Sequence, residues 1–349
     1  MNIHKNILLL LSFILLLSCS KTVELSTNQS DIMYVRNKGA DMPAYIYGNA
    51  ASKVFIVLIH GGPGGNGLEY RGGQYTEELE ADYAMVYWDQ RGQGMSHGNY
   101  PTEDITINTM AEDLFVLVKS LKYRYGADVK VFLLGHSWGG MLGTAYMINP
   151  TYQAEVAGWI ESNGAHDIPF LNKDAIRMFK EIGAQQIAQG VAVADWQEMV
   201  DFANTVDTNN ISNEEGGQIN QFGFKAESIH SEVFEGTITN DQSAFQQLFF
   251  NPTNPLTSYL IGNHTAYLLE NEVESTSLTN QLHKITQPTL LLWGKYDFVV
   301  SPALGYSAYN LISSTDKELV IFEHSGHSPM DNEPVPFIAA IKQFVERNR

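Results

Sequence analysis

Residues 131–143 read VFLLGHSWGGMLG. The apolar run Val131 to Leu134 reads as a strand, and Met141 to Ile148 reads as a helix ended by Asn149-Pro150. Between them stands Gly135-His136-Ser137-Trp138-Gly139, a G-x-S-x-G pattern. A strand that passes into a helix through this pattern makes a tight, strained turn at the serine. The glycines remove side chains where strand and helix crowd together. The Ser137 hydroxyl then projects from the sheet edge, and the Trp138 N–H sits at a helix N-terminus, where negative charge is favoured. The competing assignment makes Ser137 a helix N-cap, with its hydroxyl spent on backbone N–H groups. The strand before it and the helix after it favour a nucleophile.

A serine hydroxyl is a poor nucleophile at neutral pH and needs a base, with an acid to orient that base. The expected chain order is serine, acid, histidine. Asp297 follows the strand-like TLLLWGKYD, and His327 follows LVIFEHSGH. Competitors are His324, three residues before His327, and Glu161, after the strand at Val156. His327 is preferred because Gly326 gives its loop freedom to turn the imidazole inward. Asp297 is preferred because Val299 and Val300 can anchor its loop. Acyl transfer also needs donors for the oxyanion. The loop His60-Gly61-Gly62-Pro63-Gly64-Gly65 follows an early strand, and Gly62 N–H with Trp138 N–H makes the expected pair. A phosphate loop is the rival for this segment, but the G-K-[ST] ending and the G-x-G-x-x-G spacing are missing. His60 reads as a loop-fixing hydrogen bonder.

Outward from these motifs, strand and helix signals alternate. Tyr34-Val35 and Ala44 to Tyr47, with Gly39 between, suggest an opening hairpin. KVFIVLI (Lys53 to Ile59) and YAMVYW (Tyr83 to Trp88) read as strands covered on both faces. Glu69 to Asp82 carries a helical pattern across Gly72-Gly73, and Thr109 to Tyr125 places Met110, Leu114, Leu117, Val118 and Leu121 at helical spacing. From His166 to Lys284 clear strands are missing and helical pieces such as Ala175 to Ile182 alternate with polar loops. Strands return at Thr289 to Trp293 and Leu319 to Phe322, and a helix over Pro336 to Val345 closes the chain. Repeated βα units predict an α/β fold with a mostly parallel, eight-stranded sheet and helices on both faces. Ligands of such sheets bind at the carboxyl ends of the strands, where each glycine-rich loop falls. The expected organisation is a core over 31–165 and 285–349 with a helical cap inserted over 166–284.

The 349 residues are 44% hydrophobic and 17% charged, ample for a core and unlike a disordered chain. The net charge of −18 argues against nucleic acid as a partner and mildly favours cationic substrates. Near the start, Lys5 precedes the apolar run Ile7 to Leu17, too short to span a bilayer comfortably, and reads as a secretory signal over 1–18. The exit Leu16-Leu17-Ser18-Cys19 resembles the bacterial lipoprotein signal, which implies lipidation of Cys19, the one cysteine in the chain, and a polar tether over 19–30. The expected location is therefore a membrane of the bacterial cell envelope, with secreted or periplasmic protein as the alternative.

HGGPGG, DQRGQGMS, GHSWGG, GKYD and SGHSP occur in the order and approximate spacing of the α/β-hydrolase superfamily, and the pairing of the first two resembles the prolyl iminopeptidase family of serine peptidases. The resemblance covers about 31–349, with the insertion matched only in position and character. It implies Ser137 as nucleophile, His327 as base, Asp297 as acid and Gly62 and Trp138 as oxyanion donors. It further implies a structural turn at Asp89-Gln90-Arg91-Gly92 and release of N-terminal residues, proline among them, from short peptides. No metal or organic cofactor is implied. Two departures stand out. His136 occupies a position where family members often carry glycine. The family reads a free amino terminus with acids of the cap, but Glu214, Glu215, Glu227, Glu232 and Glu235 sit in no alignable motif, so none is assigned. The same triad would serve an esterase, a lactonase or a carbon–carbon hydrolase. A non-catalytic binding lipoprotein is a third reading, which an intact Ser-Asp-His set disfavours.

Overall fold

The computed structural model describes residues 23–230 and 255–349. The signal reading over 1–18, the Cys19 anchor, Glu232 and Glu235 fall outside the described residues. Among the described residues nine strands form a single sheet: β1 Gln29–Asn37, β2 Ala40–Gly48, β3 Val54–Ile59, β4 Ala84–Trp88, β5 His97–Gly98, β6 Lys130–His136, β7 Gly158–Ser162, β8 Thr289–Gly294 and β9 Lys317–Phe322. The order is β1-β2-β4-β3-β6-β7-β8-β9, parallel from β4 to β9, with β1 and β2 antiparallel at one edge. Eight of these strands match the expected sheet. The ninth, β5, is a two-residue pairing onto β2, too short to leave a hydrophobic period in the sequence. β1 begins at Gln29, two residues inside the stretch read as a tether. Its side chains alternate between exposed and half-buried, as on an edge strand, so polar residues there are compatible with pairing.

Strand periodicity divides the core. Phe55, Val57 and Ile59 of β3 join one apolar layer with Met110, Leu114, Leu117 and Leu121 of helix α2 (Ile107–Tyr125). Val54, Ile56 and Leu58 join the opposite layer with Leu79 of α1 (Gln74–Asp82) and Phe337, Ile341 and Phe344 of the closing helix Pro334–Asn348. β3 is buried along its whole length, which is why it reads as an unbroken apolar run. The strand order reverses between β3 and β6, so the loops after these two strands open a crevice at their carboxyl ends. HGGPGG leaves β3 and Ser137 leaves β6 at this point.

Between β7 and β8 the described chain is helical: α4 Ile168–Gln189, α5 Val193–Thr205, α6 Asn213–His230 and α7 Pro255–Ser275, with α3 the helix Trp138–Met147 after Ser137. The helices α4, α5 and α6 share an apolar cluster of their own, centred on Phe179, Trp196, Met199 and Phe222. The start and end of this insertion are clasped. Ile168 N–H donates to Thr276 O at 3.0 Å, Leu278 N–H to His166 O at 2.9 Å, and Thr279 Oγ1 to Asp167 Oδ2 at 2.6 Å. Two glycines bring its helices against the core. A Cβ on Gly262 of α7 would strike the backbone of Gly64, and one on Gly223 of α6 would lie 2.7 Å from Phe298 O. The insertion therefore rests on the loops that follow β3 and β8.

Candidate active site

Ser137 has φ 56° and ψ −120°, a conformation sparsely populated by residues with a Cβ. Its hydroxyl caps none of the N–H groups of α3, so the N-cap assignment fails on both backbone and side chain. The flanking glycines are there because neighbouring backbones are close. A Cβ at Gly139 would run into Ile59 O and sit 2.8 Å from His60 O, and one at Gly135 would sit 2.6 Å from the Trp159 ring. Helix α3 starts at Trp138, three residues before the expected start. Gly139 and Gly140 lower local helix propensity, but these contacts need them. Ser137 is half-exposed between buried neighbours.

The order of strand ends brings two other expected residues together. Asp297, in the loop after β8, is fully buried. Its Oδ1 accepts from Val299 N–H at 2.9 Å and Val300 N–H at 2.6 Å, so the two valines anchor the loop through their backbone. Its Oδ2 accepts from Asn163 Nδ2 at 2.6 Å and lies 3.0 Å from His327 Nδ1. That bond fixes the proton on Nδ1 and leaves Nε2 as the basic nitrogen. Burial works against the charged imidazole of His327, but the charge of Asp297 and its hydrogen bond to the ring outweigh it and hold the pKa above the ordinary 6.5. The competitors are otherwise engaged: His324 is exposed, and Glu161 pairs with buried His166 Nδ1 at 2.8 Å. Gly326 has no left-handed backbone. The loop instead lies close against Gly294 at the end of β8, where a Cβ would lie 2.6 Å from Ser325 O.

The loop after β3 flanks Ser137, since a Cβ on Gly61 would be 3.4 Å from Ser137 Cβ. Its amides are divided. Gly61 N–H donates to Tyr70 Oη at 2.9 Å and Gly64 N–H to Gln93 Oε1 at 2.6 Å. Among the described residues, the N–H groups of Gly62 and Trp138 have no protein acceptor. Gly62 is exposed and sits at φ +131°, a backbone that favours glycine. His60 Nδ1 contacts Gly61 O at 2.8 Å, a bond within its own loop. DQRGQG forms a supporting turn: Asp89 accepts from Gly67 N–H at 2.9 Å and Met95 N–H at 2.8 Å, while Gln90 takes the Trp138 indole N–H at 2.8 Å. Arg91 is spent on a buried two-point pair with Asp113, at 2.7 and 2.8 Å.

Three contributors carry no signal of their own in the sequence. Asn163, with φ 49°, supplies the amide on Asp297. Tyr70 holds Gly61. Glu227, on α6, accepts from the backbone N–H of His327 at 3.0 Å and of Phe298 at 3.2 Å. Burial, then the negative charge of Asp297, pushes the Glu227 carboxyl up to about 8. Gly223 and Glu227 are one helical turn apart on the face that meets the core, and that pairing is the one trace the sequence holds. Glu214 and Glu215 lie in the first turn of α6, with Glu215 closing onto Ser212 at the surface.

The chain resembles known proteins over most of its length. The chain is 28% identical over 318 residues to a proline iminopeptidase of Saccharolobus solfataricus, covering 90% of this chain and 92% of that one. It is 26% identical over 306 residues to the proline iminopeptidase of Clostridioides difficile, covering 86% and 92%. Among solved structures, an esterase of Exiguobacterium antarcticum aligns with TM-score 0.59 at 20% identity, over 91% of this chain and all of the other. A proline iminopeptidase-related protein of Thermus thermophilus aligns with TM-score 0.58 at 18% identity, over 92% and 98%. Both share the α/β-hydrolase fold. Residues 51–214 and 253–335 match the family described as serine aminopeptidase, S33, and the chain belongs to that family of serine-type α/β-hydrolases.

Proposed function

We propose that the chain is an aminopeptidase that releases N-terminal residues, of the proline type, from short peptides. One observation carries the chemistry: a serine on a strained strand-to-helix turn, beside a glycine loop with free amides, at the sheet edge where Asp297 holds His327. In this reading Ser137 Oγ attacks the scissile carbonyl as His327 Nε2 takes its proton. Asp297 stabilises the imidazolium through Nδ1–H. The tetrahedral oxyanion is held by Gly62 N–H and Trp138 N–H, each worth about 3 kcal/mol in sites of this kind. His327 returns the proton to the leaving amine, leaving an ester on Ser137. Water, deprotonated by the same nitrogen, then releases the acid and restores the serine.

The preference for a free amino terminus is supported by the relatives named above and by the cap carboxyl beside His327. A carboxyl with a pKa near 8 ionises readily once an ammonium group arrives, because the incoming charge offsets the burial that raised it. A substrate panel tests the assignment: amino-acyl anilides with free amino groups, their N-acetyl derivatives and simple acyl esters. Free amino compounds are expected to exceed their N-acetyl forms by at least about tenfold in kcat/KM, since a polar site rejects an analogue that leaves it unpaired. Cleavage of esters alone, with blocked and free amines treated alike, contradicts the assignment and favours an esterase. We also propose envelope anchoring through Cys19, on the strength of the lipoprotein-like signal before it. If Cys19→Ala leaves membrane attachment unchanged, that part is wrong.

A further inference from the structure

Two side chains outside the Ser137, His327 and Asp297 set connect all three loops around Ser137. Gly61 N–H donates to Tyr70 Oη at 2.9 Å, Tyr70 Oη lies 2.7 Å from His136 Nδ1, and His136 Nε2 lies 2.7 Å from the carbonyl oxygen of His327. One proton arrangement satisfies the chain. A carbonyl only accepts, so Nε2 of His136 carries a hydrogen. In a neutral ring Nδ1 is then an acceptor, so the Tyr70 hydroxyl donates to it and its oxygen remains open to Gly61 N–H. A cationic His136 would present donors at both nitrogens and force the tyrosine proton elsewhere. Burial, followed by the charge of His327, keeps the ring neutral by pushing its pKa down to about 3.

The packing agrees. The His136 ring lies 4.7 Å from that of His327, and the Tyr70 ring meets His136 edge-on at 5.7 Å. A Cβ on Gly61 would sit 2.7 Å from the Tyr70 hydroxyl, so glycine there makes room for the bond. The chain runs from the peptide next to Gly62, behind the nucleophile turn, to the backbone of His327.

We propose that Tyr70 and His136 are positioning residues for acyl transfer, forming a neutral hydrogen-bonded strut that sets the His60–Gly61 peptide, the one before the Gly62 N–H, and the His327 loop at a fixed separation around Ser137. The proposal rests on the reading of Ser137 as nucleophile. It gives a physical role to the histidine that precedes the nucleophile. The strut touches no reacting atom. It acts, through the Gly61 amide, on the orientation of the neighbouring Gly62 N–H and on the placement of the His327 ring, where a displacement of about 1 Å costs on the order of 100-fold in rate.

The test is the second-order rate of reaction with a fluorophosphonate, which needs no knowledge of the substrate, measured on the wild type, Tyr70→Phe, His136→Phe and His136→Gln alongside thermal melts. Tyr70→Phe and His136→Phe are expected to react about 10- to 100-fold more slowly, the cost of leaving buried partners unsatisfied. His136→Gln keeps one donor and one acceptor and is expected to recover at least about threefold over His136→Phe, a rescue that ring packing alone would not produce. Tyr70→Phe removes a single oxygen and carries the test if the His136 variants fail to fold. A folded Tyr70→Phe protein reacting within about twofold of wild type overturns the strut, as does a folded His136→Gln no faster than a folded His136→Phe. A wild type that never reacts at Ser137 counts instead against the nucleophile assignment.

Discussion

The sheet edge and the helical insertion meet at His327 but are built on different terms. At the edge, position is enforced by backbone collisions. Gly135 and Gly139 cannot carry a side chain without displacing β3, α3 or the Trp159 ring of β7, and Asp297, His327 Nδ1 and the Trp138 indole are each held by a hydrogen bond. The insertion is held by ordinary apolar packing around Phe179 and Trp196, and its described residues reach the chemistry through Gly262 on Gly64, Gly223 with Glu227 on the Asp297 and His327 loops, and the Phe224 ring edge-on to His327. The edge constrains the reaction, while the insertion has freedom to set the substrate. Substitutions in the two regions should therefore differ in kind: losses of rate at the edge, changes of discrimination and of pH response in the insertion.

The largest loss is expected for Ser137→Ala, about 10⁴-fold or more in kcat with the melting temperature nearly unchanged, read by turnover of the best substrate of the panel. Asp297→Asn should follow at about 10³- to 10⁴-fold. It should also move the acid limb of the pH–rate profile downward. The carboxylate holds the His327 pKa above its ordinary value, activity rises as that ring loses its proton, and removing the charge lets it do so at lower pH. An acid limb unchanged in Asp297→Asn would break the assignment of Asp297. Gly139→Ala should destabilise the fold by about 3 kcal/mol, measured by denaturant unfolding, because its Cβ meets backbone that cannot move aside.

Glu227→Gln belongs to the other region and should act mainly on discrimination, narrowing the ratio of free to N-blocked substrates. It also carries a stability signature. The Glu227 carboxyl is pushed from 4.5 to about 8 in the folded chain, so between those values the folded state holds a proton that the unfolded state has lost. Its contribution to stability therefore falls as pH rises through this window. Melts of Glu227→Gln from pH 5 to 8 should show a flatter decline than the wild type, and identical slopes would contradict the buried protonated state.

The same contrast explains what could be read from the sequence. β3, β4, β6 and β8 announce themselves because both faces are covered and the runs are continuous. Ser137, Asp297 and His327 are legible as candidates because the loops after parallel strands must converge at one edge. The helix Pro302–Leu311 escapes notice because its inward face is Leu304, Gly305 and Ala308, with Gly305 close against the Trp293 ring, and tyrosines are exposed on the other side. Tyr70, Asn163 and Glu227 leave no local pattern because their partners lie 66, 134 and 100 residues away in the chain. Such contacts arise from packing, and single-sequence periodicity holds no record of them.

The most direct measurement is reaction of the folded protein with a fluorophosphonate at neutral pH, followed by mass mapping of the adduct. One phosphonyl group on Ser137, absent from Ser137→Ala and slowed in Asp297→Asn, is the expected result. An adduct on another residue, or none on folded protein, would contradict the assignment of Ser137 as the nucleophile.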